Sequence, residues 1–334
     1  MEQNKIEWDN TSPLKLDLVK IEDTVKKNIK QFYFLERNLP TSNALKIAKE
    51  DCINYLRIIP VCNTLLNKYL SKDHLKEIIE ILTGNLQEFS VDKFVHLKYT
   101  FGQMRNMNLN KTENDVIQVG IKAQHEHFLK TFLKDTETKW NRKKLTIQYV
   151  KERGVTLIQN IPQFFAELEE SINNLNTNLN NKYAIVIKEG AEQLRKDLIE
   201  LSDVIEKMQY IQGKWIGLDN IYSNQDIRKQ LSNDCQIFDN STKVFNTMMK
   251  KVDGRVPIII AVKDPKIMES INKLTGNFDG LQRSLEFYLD RKRQKFPRLY
   301  FLSNEEFITI LAKSSTDITL INNYLSKLFD SVNS

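Results

Sequence analysis

Structure-breaking residues are scarce in this chain: ten glycines and seven prolines punctuate 334 residues. A doubly wound sheet with short turns needs far more glycine than that. Leu, Ile, Lys, Glu, Asn and Gln recur instead at three- and four-residue spacing, the mark of amphipathic helices. The chain is therefore expected to be all-α. Its length would give two or three compact domains, but long helices stacked in series can take their place.

Charge and cysteine usage narrow the class further. Lys and Arg number 49 against 43 Asp and Glu, a formal net charge of +6 mixed along every helix. So small an excess reads as a solvated surface rather than a nucleic-acid footprint. Cys52, Cys62 and Cys235 are scattered without metal-ligand spacing and read as reduced, partly buried thiols of an intracellular protein. The first twenty or so residues lack the apolar core of a signal peptide. The apolar run from Val256 to Val262 is far shorter than the ~20 residues of a membrane span. A soluble, non-secreted chain is expected.

In chain order, residues 1–13 are polar and expected to fray. Leu18, Ile21, Val25, Ile29 and Phe32 define one helix face, and Asn38 to Ser42 breaks it. Pro60 marks a break or kink in the next helix. Gly84 to Gly102 brackets a less regular patch around Phe89, Phe94 and Phe101. A long helix is expected from Glu113 to about Val150, and a further helix or helix pair after Gly154. The Asn-rich run 173–181 reads as a loop, because asparagine competes with the helix for its backbone. Lys182 to about Trp215 is the most regular helix. Gly254, Pro257 and Pro265 frame Val256–Val262, the one piece expected to be strand-like or extended. A helix then runs from Asn272 to Leu289, with a joint at Gly276 to Gly280, and delivers the chain to Pro297. Pro297 ends it, and Ser303 with Glu306 three residues on forms a capping box for the next helix. The expected arrangement is helix, buried turn, helix.

Catalytic constellations are not apparent. There is no Gly-x-x-x-x-Gly-Lys-Ser/Thr loop to cradle phosphates. His125 and His127 lie two apart on a helix and point away from each other, so they cannot chelate one ion. Glu167, Glu169 and Glu170 form a solvated face, and Cys235 reads as core. The block Arg291-Lys292-Arg293-Gln294-Lys295 suits a helix C-terminus, where the dipole favours cations. Arg298 is placed to satisfy turn carbonyls or to stack on an aromatic ring.

The order of residues says more. Phe296-Pro297-Arg298-Leu299-Tyr300-Phe301-Leu302-Ser303-Asn304 resembles the signature of the linker region (N-terminal region 2) of dynein heavy chains. Gln212, Trp215, Leu218, Asp219, Ile221 and Tyr222, then Asp226, Ile227, Leu231 and Phe238, match a second signature in register. His74 keeps part of an early motif and on its own reads as a helix-surface or half-buried imidazole. Ala123, Glu126, Leu129 and Trp140 match a third motif. Ser232, Met208, Leu194 and Phe245 depart from the usual Pro or aromatic residues and mostly exchange apolar for apolar.

The resemblance implies an elongated stack of antiparallel helical bundles with short extended breaks. It also implies a lead-in at 1–45, bundles at 46–250, and a joint with the start of a central bundle at 251–334, the chain ending before an AAA+ ring. The implied role is mechanical, coupling ATP hydrolysis in the ring to movement of the tail, with no catalytic, cofactor or metal residues in this chain. ATP-Mg belongs to the ring. The implied partners are the ring of the same heavy chain and other dynein chains through the tail, with microtubules only indirectly and no nucleic acid. The implied location is cytoplasmic and cytoskeletal, or the ciliary axoneme, and the class is left open. Compliance is expected at Gly254–Pro265 or at Gly276–Gly280. The alternative is a helical scaffold binding partners through grooves, distinguished by whether the reading frame continues into AAA+ modules.

Overall fold

The computed structural model describes residues 2–38, 43–83, 100–105, 113–313, 324 and 327–329. Among these residues the fold is helical, as the spacing predicts, apart from one two-stranded hairpin. It divides into two compact units, residues 1–132 with 181–187, and residues 133–180 with 188–334.

In the first unit, α1 (Glu2–Asn10), α2 (Leu18–Asn38), α3 (Asn43–Leu65), α4 (Lys72–Thr83), α5 (Phe101–Arg105) and the first part of α6 (Glu113–Arg142) surround one core. Leu18, Ile21 and Val25 of α2 meet Cys52, Tyr55, Ile58 and Ile59 of α3 there. The N-terminal residues are helical rather than frayed. Trp8 packs edge-on against Tyr55 at 5.8 Å, and Asp9 accepts the Tyr55 hydroxyl at 2.7 Å. Pro60 does not break α3. Ile58, Ile59, Val61 and Cys62 are buried on either side of it, and that burial outweighs the missing backbone bond. The expected break at Leu39–Ser42 and the patch around Phe89 and Phe94 lie outside the described residues.

In the second unit, α6 stops at Arg142, short of the expected Val150. The chain instead forms β1 (Thr146–Val150) and β2 (Val155–Gln159), an antiparallel hairpin pairing Thr146 with Gln159 and Val150 with Val155. Its residues are largely β-branched, and Gly154 at φ +64° supplies the left-handed turn position. α7 (Ile161–Leu179) runs through the Asn-rich stretch expected to be a loop. Leu168, Ser171 and Leu175 are buried from one face of it. Its asparagine and threonine side chains turn back to carbonyls of their own helix, Thr177 to Asn173 and Asn178 to Asn174. Packing of the leucine stripe overrides propensity here.

α8 (Lys188–Tyr222) is the spine of this unit. α7 packs along its first half, while α10 (Ser232–Lys251) and α12 (Pro265–Lys295) pack against it and each other. α9 (Gln225–Gln230) joins α8 to α10. The stretch expected to be extended is the short helix α11 (Ile258–Ala261). Pro257 begins it and the Ile258 N–H donates to the Lys143 carbonyl, so its buried residues Ile258, Ile259 and Val262 follow a helical spacing. Among the described residues no strand is placed to pair with it, so an extended conformation would leave its backbone groups unpaired. α12 is uninterrupted through Gly276 and Gly280, where a joint was expected, because Leu274, Phe278 and Leu281 bury its inner face. Asp264 caps its start by accepting from the Lys266 N–H, with Pro265 following. A 3-10 turn, Pro297–Phe301, leads to α13 (Asn304–Lys313).

Candidate functional site: a signature helix face and an aromatic turn

The second signature occupies one face of α8, because residues 212, 215, 219 and 222 recur at helical spacing. Gln212 is buried, and its side-chain amide treats the hairpin as a strand would. Nε2 donates to the Ile158 carbonyl at 3.0 Å and Oε1 accepts the Ile158 N–H at 2.7 Å. β2 thereby gains the hydrogen-bonding partner its outer edge lacks. One turn on, the Trp215 indole N–H donates to Thr242 Oγ1 at 3.0 Å, and its ring stacks on Phe245 at 5.5 Å and 6°. Phe245, a departure from the family pattern, keeps an aromatic contact on α10.

Asp219 meets the hairpin again, 3.0 Å from Arg153 Nε in its turn, and also accepts from Ser223 Oγ. Burial pushes the Asp219 carboxyl up, and the Arg153 and Arg228 charges and the Ser223 hydroxyl pull against it. Tyr222 closes the series. Its ring stacks on Phe238 at 5.4 Å and its hydroxyl donates to the Leu281 carbonyl of α12 at 3.2 Å. Burial pushes this phenol well above its ordinary range. Leu218 is buried beside this face, and Ile221 packs against Leu285 and Leu289 of α12. Side chains of one helix face therefore tie hairpin, α10 and α12 to the spine.

In the first unit, two motifs widely separated in sequence meet. His74 is buried rather than at the surface. It sits at the third position of α4, and Ser71 precedes the helix. The Ser71 N–H donates to His74 Nδ1 at 3.2 Å, and the His74 N–H donates to Ser71 Oγ at 3.3 Å. This is a capping box with imidazole in place of the usual Glu or Gln. With Nδ1 accepting, the ring proton lies on Nε2, 3.2 Å from Glu126 Oε2 on α6. His125 stacks on Tyr183 and His127 on Tyr69, so neighbouring imidazoles serve separate aromatic contacts. Trp140, back in the second unit, is fully buried and meets Phe164 edge-on at 5.7 Å.

The turn after α12 is held mostly by arginines. Arg293 donates from Nε to the Leu299 carbonyl at 3.3 Å and from Nη2 to the Leu302 carbonyl at 2.8 Å. It also lies over the Tyr300 and Phe307 rings. Arg298 reaches the Leu328 carbonyl at 2.9 Å and covers the Phe329 ring. The turn's own carbonyls are thus served by Arg293, so this residue of the basic block does more than complement the helix dipole. Ser303 and Glu306 form the expected capping box, Ser303 N–H to Glu306 Oε2 at 2.9 Å and Glu306 N–H to Ser303 Oγ at 3.2 Å, ahead of Asn304. No residue of the 3-10 turn is buried, contrary to expectation; Leu302, just after it, is. Phe296, Tyr300 and Phe301 stand out from the turn.

A groove of about 750 Å³ runs between α8, α12 and α13, walled by Leu218, Ile221, Leu285 and Ile308. Gly213 and Gly217 line it, and a Cβ at either would meet nothing within 4 Å. Gly254 adopts φ +88°, a position that suits only glycine without strain. Among the described residues no group of three or more His, Cys, Asp or Glu side chains is arranged to hold a metal ion, and no helix is long and apolar enough to cross a membrane.

The partners of the signature residues, Ile158, Arg153, Thr242 and Leu281, were not visible in the sequence, since three of the contacts are to backbone or small polar groups. The Ser71-x-x-His74 spacing was the one signal that could have placed His74.

Known proteins resemble the chain along nearly its whole length. "Dynein-1-beta heavy chain, flagellar inner arm I1 complex" of Chlamydomonas reinhardtii is 24% identical over 326 residues, 97% of this chain and 7% of that protein. Human dynein axonemal heavy chain 6 is 26% identical over 318 residues, 95% of this chain and 8% of that protein. The cytoplasmic dynein heavy chain of Neurospora crassa is 24% identical over 333 residues, 98% and 7% respectively. The chain therefore spans 7 to 8% of the length of these relatives. The family "Dynein heavy chain, N-terminal region 2" matches residues 1–334, and the chain belongs to it.

Proposed function

We propose that this chain is the mechanical linker segment of a dynein heavy chain, a lever that carries movement from an ATP-hydrolysing AAA+ ring to the tail. On this reading it has no catalytic centre of its own. Its partners are the ring of the same heavy chain and, through the tail, other dynein chains, with microtubules reached only indirectly. Its place is the cytoskeleton, in the cytoplasm or the ciliary axoneme.

The observation that carries the reading is the α8 face. Gln212, Trp215, Asp219 and Tyr222 join three neighbouring elements to one 35-residue helix through directional contacts. Such a body resists bending, as a lever must. Compliance belongs where residues are exposed or only half-buried, namely Asp253–Pro257 around Gly254, rather than at Ile258, Ile259, Ala261 and Val262, which are buried, or within α12. Hydrogen exchange on the purified chain tests this. Amides of 253–256 should exchange much faster than those of 271–285, and equal protection of both would remove the joint from this place.

One observation favours a second reading, a scaffold that binds partners: the apolar groove beside Gly213 and Gly217. A chain acting only as a scaffold would retain full activity when the α8 contacts are loosened, whereas a lever would not.

A further inference from the structure

The stretch from Phe287 to Phe301 does more than terminate a helix. It holds five cations, Arg291, Lys292, Arg293, Lys295 and Arg298, against one carboxylate, Asp290. Asp290 is already engaged, accepting the Tyr300 hydroxyl at 2.7 Å and the Gln294 amide at 2.9 Å. Arg293 and Arg298 are bound to carbonyls. Among the described residues, Arg291, Lys292 and Lys295 make no ion pair.

Large apolar side chains interleave with these cations. Phe287 is 66% exposed, Tyr300 53% and Phe301 71%. Arg291 lies over the Phe287 ring and Lys292 over that of Tyr288. The bond from Tyr300 to Asp290 holds the aromatic turn against the same end of α12, one helical turn from Phe287. Two arginine clamps and a capping box keep the rings in this exposed position, so their exposure is built into the turn. Exposed aromatics beside arginine are the side chains that dominate binding energy at protein interfaces.

From this juxtaposition we infer that the end of α12 and the 3-10 turn form a docking surface for an acidic protein segment with apolar anchors. The apolar anchors would cover Phe287 and Phe301, and carboxylates would pair with Arg291, Lys292 and Lys295. Charge complementarity selects this occupant. Three cations without an ion pair among the described residues are too few for the multiple phosphate contacts that sustain nucleic-acid binding. The inference rests on this surface alone and stands apart from the lever reading.

The test is selection of a random peptide display library on the immobilised full chain, followed by anisotropy with the enriched peptides. The expected sequences are net negative and carry Leu, Phe or Trp. Their affinity should fall roughly tenfold in Phe287→Ser/Phe301→Ser and again in Arg291→Glu/Lys295→Glu, and should weaken with added salt. All four positions are exposed, and an unchanged melting curve by circular dichroism shows that each variant is folded. No enrichment, enrichment of basic or neutral peptides, or acidic peptides indifferent to both variants would each overturn the proposal. So would phosphatidylserine vesicles or oligothymidine binding with this variant sensitivity while acidic peptides do not.

Discussion

Gln212→Leu is the substitution that most directly probes how α8 organises the second unit. Leucine nearly matches the volume of glutamine, so little cavity forms, and the change isolates the polar contacts. The Ile158 N–H and carbonyl, bonded at 2.7 and 3.0 Å, would remain buried against an aliphatic side chain. Each orphaned backbone group costs about 1–3 kcal/mol. The pair therefore costs about 2–6 kcal/mol, toward the lower figure if water enters. Gln209→Leu, one turn away on the exposed side of α8, should stay within about 0.5 kcal/mol of the parent. Urea unfolding followed by circular dichroism gives the stability change, and hydrogen exchange reports whether the Ile158 amide loses protection. If Gln212→Leu unfolds at the parent's urea midpoint with Ile158 still protected, the amide is not what secures the hairpin.

Three further outcomes are expected. Tyr222→Phe removes the hydroxyl that the Leu281 carbonyl accepts beside its own helical bond and should destabilise by about 0.5–1.5 kcal/mol in the same assay while the ring stack on Phe238 persists. Arg293→Lys cannot reach both the Leu299 and Leu302 carbonyls, so amide exchange at 299–307 should accelerate while α8 is unchanged. Cys62 is buried, and burial pushes its thiol up to about 12 from 9.0. Between those values the unfolded chain releases a proton that the folded chain keeps, so this thiol's contribution to stability is complete below pH 9 and declines as pH rises toward 12. Cys62→Ala should flatten that part of the stability profile, and in the parent Cys62 should resist thiol reagents at pH 8 until the chain unfolds.

The helices were legible because burial on α2, α8 and α12 follows the three- and four-residue spacing of their apolar residues. The hairpin was not. Its strands are five residues each, β1 is largely exposed, and the sequence around them is as charged as the helices. The Asn-rich part of α7 misled for the opposite reason: its local preference is for a loop, and only the stripe ending in Leu175 against α8 decides otherwise. The glycines of α12 also suggested a joint, yet they face open space while Phe278 between them is fully buried. Among site residues, family resemblance identified Gln212, Trp215, Asp219 and His74 without saying what they hold. Their partners lie on other elements, in the case of Gln212 on the backbone 54 residues away. Spacing along one chain cannot reveal such pairings, and the exposure of Phe301 was hidden for the same reason.

The central proposal is that this segment is a stiff, passive lever with no nucleotide chemistry of its own. Hydrogen exchange of the purified chain, with and without Mg-ATP, tests it most directly. The account predicts superimposable profiles, with α8 and the inner face of α12 most protected and residues 253–256 fast in both. Protection gained in any segment on adding Mg-ATP would contradict it, because the chain would then hold a nucleotide site.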